Sequence, residues 1–254
     1  MHRTIILWLA AFIITFLVGY IYNISDINYP VTGTIGVEGQ KVSYMFEKIH
    51  YGSDPYRIII RTDKPDLSGR LKWRNINDKE YWYETDLLNG GDILTGEIPF
   101  QSPLKQIEYK VLIKYKDKEY PLAGGNSVLL MFYSKVPVPV KFFNGFLIYL
   151  ILFLSIRIGL EAFNINQKIK KYSFATVLVT LLFTAMIHPL YLSYKYGYIN
   201  QQIPPIENLF PLYSVLFLVL WIVFTIVHFK VENPKSFAGA AGLLTITIYL
   251  LVRF

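Results

Sequence analysis

The feature that most constrains this chain is a set of long apolar stretches. Ile5–Tyr22 holds 18 residues with no acid or base, and Phe142–Phe163, Tyr172–Leu192, Leu209–Phe229 and Ser236–Val252 are further apolar runs. About 20 helical residues at ~1.5 Å rise cross a hydrocarbon layer of ~30 Å. Each run is therefore expected to form a transmembrane helix, one at the N-terminus and four at the C-terminus. The last is the shortest, and a buried or re-entrant segment is its competing reading. The first run exceeds a usual signal-peptide core. Val18-Gly19-Tyr20 is too bulky for a cleavage site, so the run is read as a retained anchor.

Between the first two runs, Tyr29–Pro139 has another texture. Short alternating segments are separated by turn residues every 8–12 positions, the pattern of a β-sandwich. Expected strands are Lys41–Lys48, Tyr56–Thr62, Gly69–Asn75, Tyr81–Asp86, Ile93–Ile98, Ile107–Tyr115 and Val128–Tyr133. In the clearest, Ile107, Tyr109, Val111, Ile113 and Tyr115 share one face, while Glu108, Lys110 and Lys114 take the other. Asn89–Asp92 and Lys116–Lys118 read as turns. Seven or eight strands in roughly 100 residues fit one immunoglobulin-like or fibronectin-like module. The expected organisation is an anchor over 1–28, an all-β sandwich over 29–140, and a four-helix membrane bundle over 141–254.

Charge sets the orientation. The formal net charge is +7, yet the segment Pro30–Val140 carries 15 basic and 14 acidic residues. The excess lies beside the apolar runs, which argues for membrane orientation signals and against nucleic acid as a partner. Arg3, Lys168, Lys170, Lys171, Lys230 and Lys235 all fall on the cytoplasmic side if the N-terminus is inside. The β-domain, the 193–208 loop and the C-terminus then lie outside. A multi-pass protein of the cytoplasmic (inner) membrane is expected, with the lipid bilayer and other membrane or envelope proteins as its partners.

Few side chains point to chemistry. The absence of cysteine excludes disulfides, thiolate metal sites and Cys nucleophiles. No phosphate-binding glycine loop, nucleophile elbow or metal-ligand spacing occurs, so no catalytic residue, metal or cofactor is expected. Arg157 and Glu161 lie four apart in the second run and can pair on one helix face, serving either a proton or substrate relay or a structural buttress. His188-Pro189 places a titratable ring beside a residue that lacks an N–H, as a functional group or as a buried histidine at a kink. A haem shared by His188 and His228 is rejected, because the two fall at opposite membrane depths. Ala238, Gly239 and Gly242 form a small-residue patch for close helix approach, within the chain or with a partner. Trp73 and Trp82 are candidates for a binding surface that stacks sugar rings, or for core positions.

Three segments carry a resemblance. Gly91-Asp-Ile-Leu-Thr-Gly-Glu-Ile-Pro99 followed by Gln106–Lys110 resembles a periplasmic-type β-sandwich module. With Ser155-Ile-Arg157-Ile-Gly159-Leu-Glu161 and Tyr194–Gly197, the chain from about Phe46 on is similar to an uncharacterised group of bacterial, Bacteroidetes-like inner-membrane proteins. Ala185–Leu190 departs from the more glycine-rich stretch expected there. The resemblance implies an architecture and transfers no catalytic residue. The functional expectation is a non-enzymatic membrane protein that displays a sandwich for partner binding, as an accessory subunit of an envelope complex. A small transporter or membrane-embedded enzyme using Arg157, Glu161 and His188, and a glycan-binding sensor, are the alternatives.

Overall fold

The computed structural model describes residues 2–25, 28–62, 66–76, 81–165, 167–199 and 204–252. The chain divides into two compact units. One comprises Met1–Asp26, Val136–Tyr194 and Tyr198–Phe254; the other comprises Ile27–Lys135 and Lys195–Gly197.

The second unit is built of two sheets. Its strands are β1 (Val31–Val37), β2 (Gln40–Phe46), β3 (Ile49–Tyr51), β4 (Tyr56–Thr62), β5 (Ser68–Asn75), β6 (Tyr83–Asp86), β7 (Leu88–Asn89), β8 (Ile93–Ile98), β9 (Gln106–Tyr115), β10 (Lys118–Pro121) and β11 (Val128–Tyr133). One sheet runs β1-β2-β4-β8-β7. The other runs β3-β11-β9-β5-β6, with β10 also pairing β9. All pairings are antiparallel except β3 with β11. Alternation explains the core. Tyr56, Ile58, Ile60 and Thr62 of β4 point inward while Arg57, Ile59 and Arg61 point out. Ile107, Tyr109, Val111 and Ile113 of β9 do the same in the other sheet. These inner faces meet Phe46, Leu71, Leu94, Val128, Leu130 and Phe132 in one apolar cluster. Each such side chain contributes about 1.5–3 kcal/mol by leaving water.

Among the described residues there are eleven strands, more than the seven or eight expected. The strand β1 escaped notice because Gly33 and Gly36 interrupt its apolar pattern. Gly33 leaves the space that Tyr44 fills, since a Cβ there would meet its ring and hydroxyl. The short strands β3, β7 and β10 exist through their pairing with longer neighbours. The expected strand from Tyr81 begins at Tyr83.

The first unit is helical. Among the described residues, four helices are long and apolar enough to cross a membrane: His2–Ile24 (α1), Val138–Glu161 (α2), the rod Ile169–Lys195, and Leu212–Lys230 (α6). The rod comprises α3 (Ile169–Leu182), one π-helical segment (Phe183–Ile187) and α4 (His188–Lys195). A short helix, α5 (Ile206–Leu209), precedes α6, and α7 (Lys235–Leu251) is apolar but has only 17 residues. By helix rise α7 is about 25 Å long. Helix α2 is the central element and packs against α1, α3 and α7. Ile6, Leu9, Phe12 and Phe16 of α1, and Leu216, Val219 and Val223 of α6, are left exposed. Contiguous apolar surface of this kind suits lipid rather than water.

Candidate functional sites

Arg157 and Glu161 form an intrahelical ion pair one turn apart, and both side chains are fully buried. The guanidinium lies 4.9 Å from the Trp8 ring and 5.2 Å from the Tyr172 ring. The indole and the phenol themselves meet edge to face at 5.5 Å. One arginine of α2 is thus gripped by α1 and α3 through its charge over their π-faces. Glu161 accepts hydrogen bonds through Oε1 from the Asn164 amide at 3.0 Å and the Lys168 backbone N–H at 2.8 Å. It therefore ties the end of α2 to the start of α3. Arg157 thus meets the rings of two other helices, and Glu161 is enclosed.

His188 is fully buried at the first residue of α4. Its Nδ1 bonds Asn144 Oδ1 at 3.0 Å, and its Nε2 bonds the Tyr213 hydroxyl at 3.1 Å. Phe183 stacks on the ring at 4.7 Å. The imidazole thereby joins α2, α6 and the rod. Pro189 follows, and the backbone answers with the π segment, in which the His188 N–H reaches the Phe183 carbonyl. A single π turn of this sort re-aims side chains without breaking the helix.

Farther along the rod, Ser173, Thr176, Thr180 and Thr184 are buried on the face that ends in His188. Thr184 donates to the Ser214 carbonyl at 3.2 Å, and Ser173 Oγ meets His228 Nδ1 at 2.6 Å. Tyr213 and His228 are fifteen positions apart on α6, roughly 22 Å by helix rise. The two histidines therefore tie opposite ends of the same helix pair. Sequence reasoning weighed His228 only as a haem ligand and missed its bond to Ser173.

The small-residue patch packs within the chain. A Cβ on Gly242 would lie 3.1 Å from the Ser155 carbonyl oxygen and 3.3 Å from Gly159 Cα. A Cβ on Gly159 would lie 3.5 Å from the Ala238 carbonyl oxygen and 4.0 Å from Gly239 Cα. Helices α2 and α7 thus approach backbone to backbone, as small residues permit in a bilayer.

In the sandwich, Trp73 is almost buried and stacks on Tyr83 at 4.4 Å. The Arg74 guanidinium covers the Trp82 ring at 4.5 Å, with the Lys110 ammonium at 5.6 Å. Trp73 is enclosed, and Trp82, half-buried, already holds two cations over its ring.

The open feature of the sandwich is a cleft of about 840 Å³ between β2 and β4. The two strands pair only at Val42–Thr62, Ser43–Arg61 and Tyr44–Ile60. Both continue beyond that point, but β2 then pairs with β1 alone and β4 with β8 alone. The lining of the cleft includes Ser43, Met45, Arg57, Ile59 and Arg61, whose side chains point outward, together with Tyr44 and Tyr56. His50, Asp54 and Pro55 close one end.

Two tyrosines hold the cleft in shape. The Tyr56 hydroxyl accepts the Glu47 N–H at 2.9 Å, and the Tyr109 hydroxyl donates to the Glu47 carbonyl at 3.2 Å. The hydroxyls lie 3.3 Å apart. Burial pushes both phenol pKa values up, so these groups stay neutral and keep their protons for hydrogen bonding. Nothing in the sequence pattern marked this cleft, since the end of a ladder depends on partners remote in the chain.

Among the described residues, no three His, Asp or Glu side chains are grouped to hold a metal ion. No family model, curated protein or solved structure matches the chain.

Proposed function

We propose that the chain is an integral protein of the cytoplasmic membrane that presents an immunoglobulin-like sandwich outside the cell interior and docks a partner protein in the β2–β4 cleft. The N-terminus lies in the cytoplasm, α7 is the fifth span, and the C-terminus emerges outside. The observation that carries this reading is the cleft. It is open to solvent, lined by exposed apolar and charged side chains, and held by an internal hydrogen-bonded frame. The helical unit supports the same division of labour, since its buried polar groups join its own helices. Its distribution of lysines fits the stated orientation.

A transporter or membrane enzyme working through Arg157, Glu161 and His188 draws less support, because these residues are engaged with one another or with neighbouring helices. A glycan sensor at Trp73 and Trp82 draws less still, given the covered rings.

The test uses the cysteine-free sequence. A single Ser53→Cys substitution should react with an impermeant maleimide in intact cells, whereas Gln167→Cys should react only after permeabilisation. The reverse pattern refutes the orientation. A photo-crosslinking residue at Ile59 should then give one reproducible adduct in native membranes, and one at Glu119 should not. Equal adducts from both positions, or none from Ile59, refute docking in the cleft.

A further inference from the structure

The sheets of the sandwich end in strands of unlike character. Most edges are short or charged. The strand β7 has two residues, β3 has three, β10 has four and ends in Pro121, and β6 carries Glu84 and Asp86. Such features keep an edge from pairing with another chain. The strand β1 lacks them. It runs for seven residues, Val31-Thr-Gly-Thr-Ile-Gly-Val37, without charge or proline, and its ladder partner among the described residues is β2.

The register shows which main-chain groups are left. Glu38 and Gly39, both at positive φ, make a two-residue turn, so Val37 and Gln40 form a hydrogen-bonded pair. Bonded and non-bonded pairs alternate along the ladder. Val31, Gly33 and Ile35 therefore bond β2 as well, whereas Thr32, Thr34 and Gly36 turn their N–H and C=O away from it. All three are exposed, and none of these groups has a main-chain partner among the described residues. The nearby turn Ala123–Gly125 makes its own main-chain bonds with Leu122 and Asn126.

We infer that β1 pairs antiparallel with β1 of a second copy of this chain, about a two-fold axis at Thr34. The strand's own symmetry and neutrality point to this occupant. The axis sets Thr34 beside its counterpart and Thr32 beside Gly36 of the second copy. Every free N–H and C=O of these residues finds a partner in that one register. No charge lies on the strand to repel its copy, and a threonine pair is favourable across a ladder. On the inner face, Ile35 comes beside Gly33, and Val31 beside Val37, of the second copy. Val31 and Ile35 pack on the core but are only half-buried, so the pairing covers them further. Gly36 fits the same arrangement. Its φ is not positive, and a Cβ there would meet nothing within 4 Å. A strand glycine without an internal cause marks the close approach of another backbone.

The test uses the full chain in liposomes and stands apart from docking in the cleft. Pools labelled with donor or acceptor dye should show energy transfer that falls as the protein is diluted into excess lipid. Thr34→Lys and Thr34→Glu, both at an exposed position, should each weaken self-association about fivefold. Mixing the two variants should restore it, which a folding defect would not allow. A thiol crosslinker of short reach should join two copies of Thr34→Cys but not two of Thr32→Cys, whose counterparts lie about 14 Å apart along the strand. Thr32→Cys mixed with Gly36→Cys should be joined again. Transfer that neither charge variant changes places the contact elsewhere and overturns the inference. Absence of transfer at every density, or capture of a different protein by Thr34→Cys in native membranes, overturns the second copy as the occupant.

Discussion

Replacing Arg157 by Met removes the cation paired to the fully buried Glu161 carboxylate. Breaking a buried pair by deleting one partner costs about 3–5 kcal/mol, because the remaining charge stays desolvated. Glu161 keeps its bonds from Asn164 and Lys168, which places this variant near the lower end, at about 3 kcal/mol. The lost contacts with Trp8 and Tyr172 add in the same direction, about 0.5–2 kcal/mol each. Glu161→Gln should cost a similar amount by leaving the guanidinium without a counter-charge. The double variant removes both charges, so it should be less damaged than the sum of the singles by about 2 kcal/mol. Unfolding of the full chain in bicelles under a titrated denaturant would give the cycle. The coupling matters more than the absolute values, since the unfolded helices also find partners in lipid. Single variants within about 0.5 kcal/mol of the parent, with no coupling, would refute the assignment of the pair as a structural tie between α1, α2 and α3.

Other outcomes follow from the same geometry. Gly242→Leu should separate α2 from α7 and lower the thermal midpoint in nanodiscs by more than Gly242→Ala, because the obstructing atoms are the backbone of Ser155 and Gly159. Equal midpoints would contradict the close approach. Tyr109→Phe should cost about 1 kcal/mol by orphaning the Glu47 carbonyl, read from tryptophan fluorescence of the sandwich during urea unfolding. Acid should weaken the sandwich through Glu108, whose carboxyl is held below the usual range by a hydrogen bond from Ser127 and then by Arg74. A depressed folded pKa gives stability that is present above the unfolded value of about 4.3 and is lost as pH falls through the folded one. Ser127→Ala should therefore flatten the dependence of the urea midpoint on pH below about 4.5, and an unchanged slope would count against Glu108 as its source.

Much of the fold was legible because each half of the chain obeys one period. The alternation over Ile107–Tyr115 marked β9 to within one residue, and the long apolar runs marked the helices. What escaped depends on partners distant in sequence. The strand β1 reads as a glycine-broken loop until Tyr44 packs over Gly33. The parting of β2 from β4 follows from their choice of other neighbours, and neither strand differs in composition where it happens. Arg157, Glu161 and His188 were visible as anomalies against an apolar background. Their partners Trp8, Tyr172, Asn144 and Tyr213 look ordinary in sequence, so the roles of the three could not be read without the packing.

The hydroxyls along the rod show how a helix can be polar in composition and greasy in behaviour. Thr176 and Thr180 return their hydrogens to the carbonyls of Tyr172 and Thr176, at 2.9 and 2.7 Å. What these two side chains have left to offer their surroundings is methyl. Valine, which copies that shape, should replace either threonine with little penalty, even though each sits deep inside the bundle.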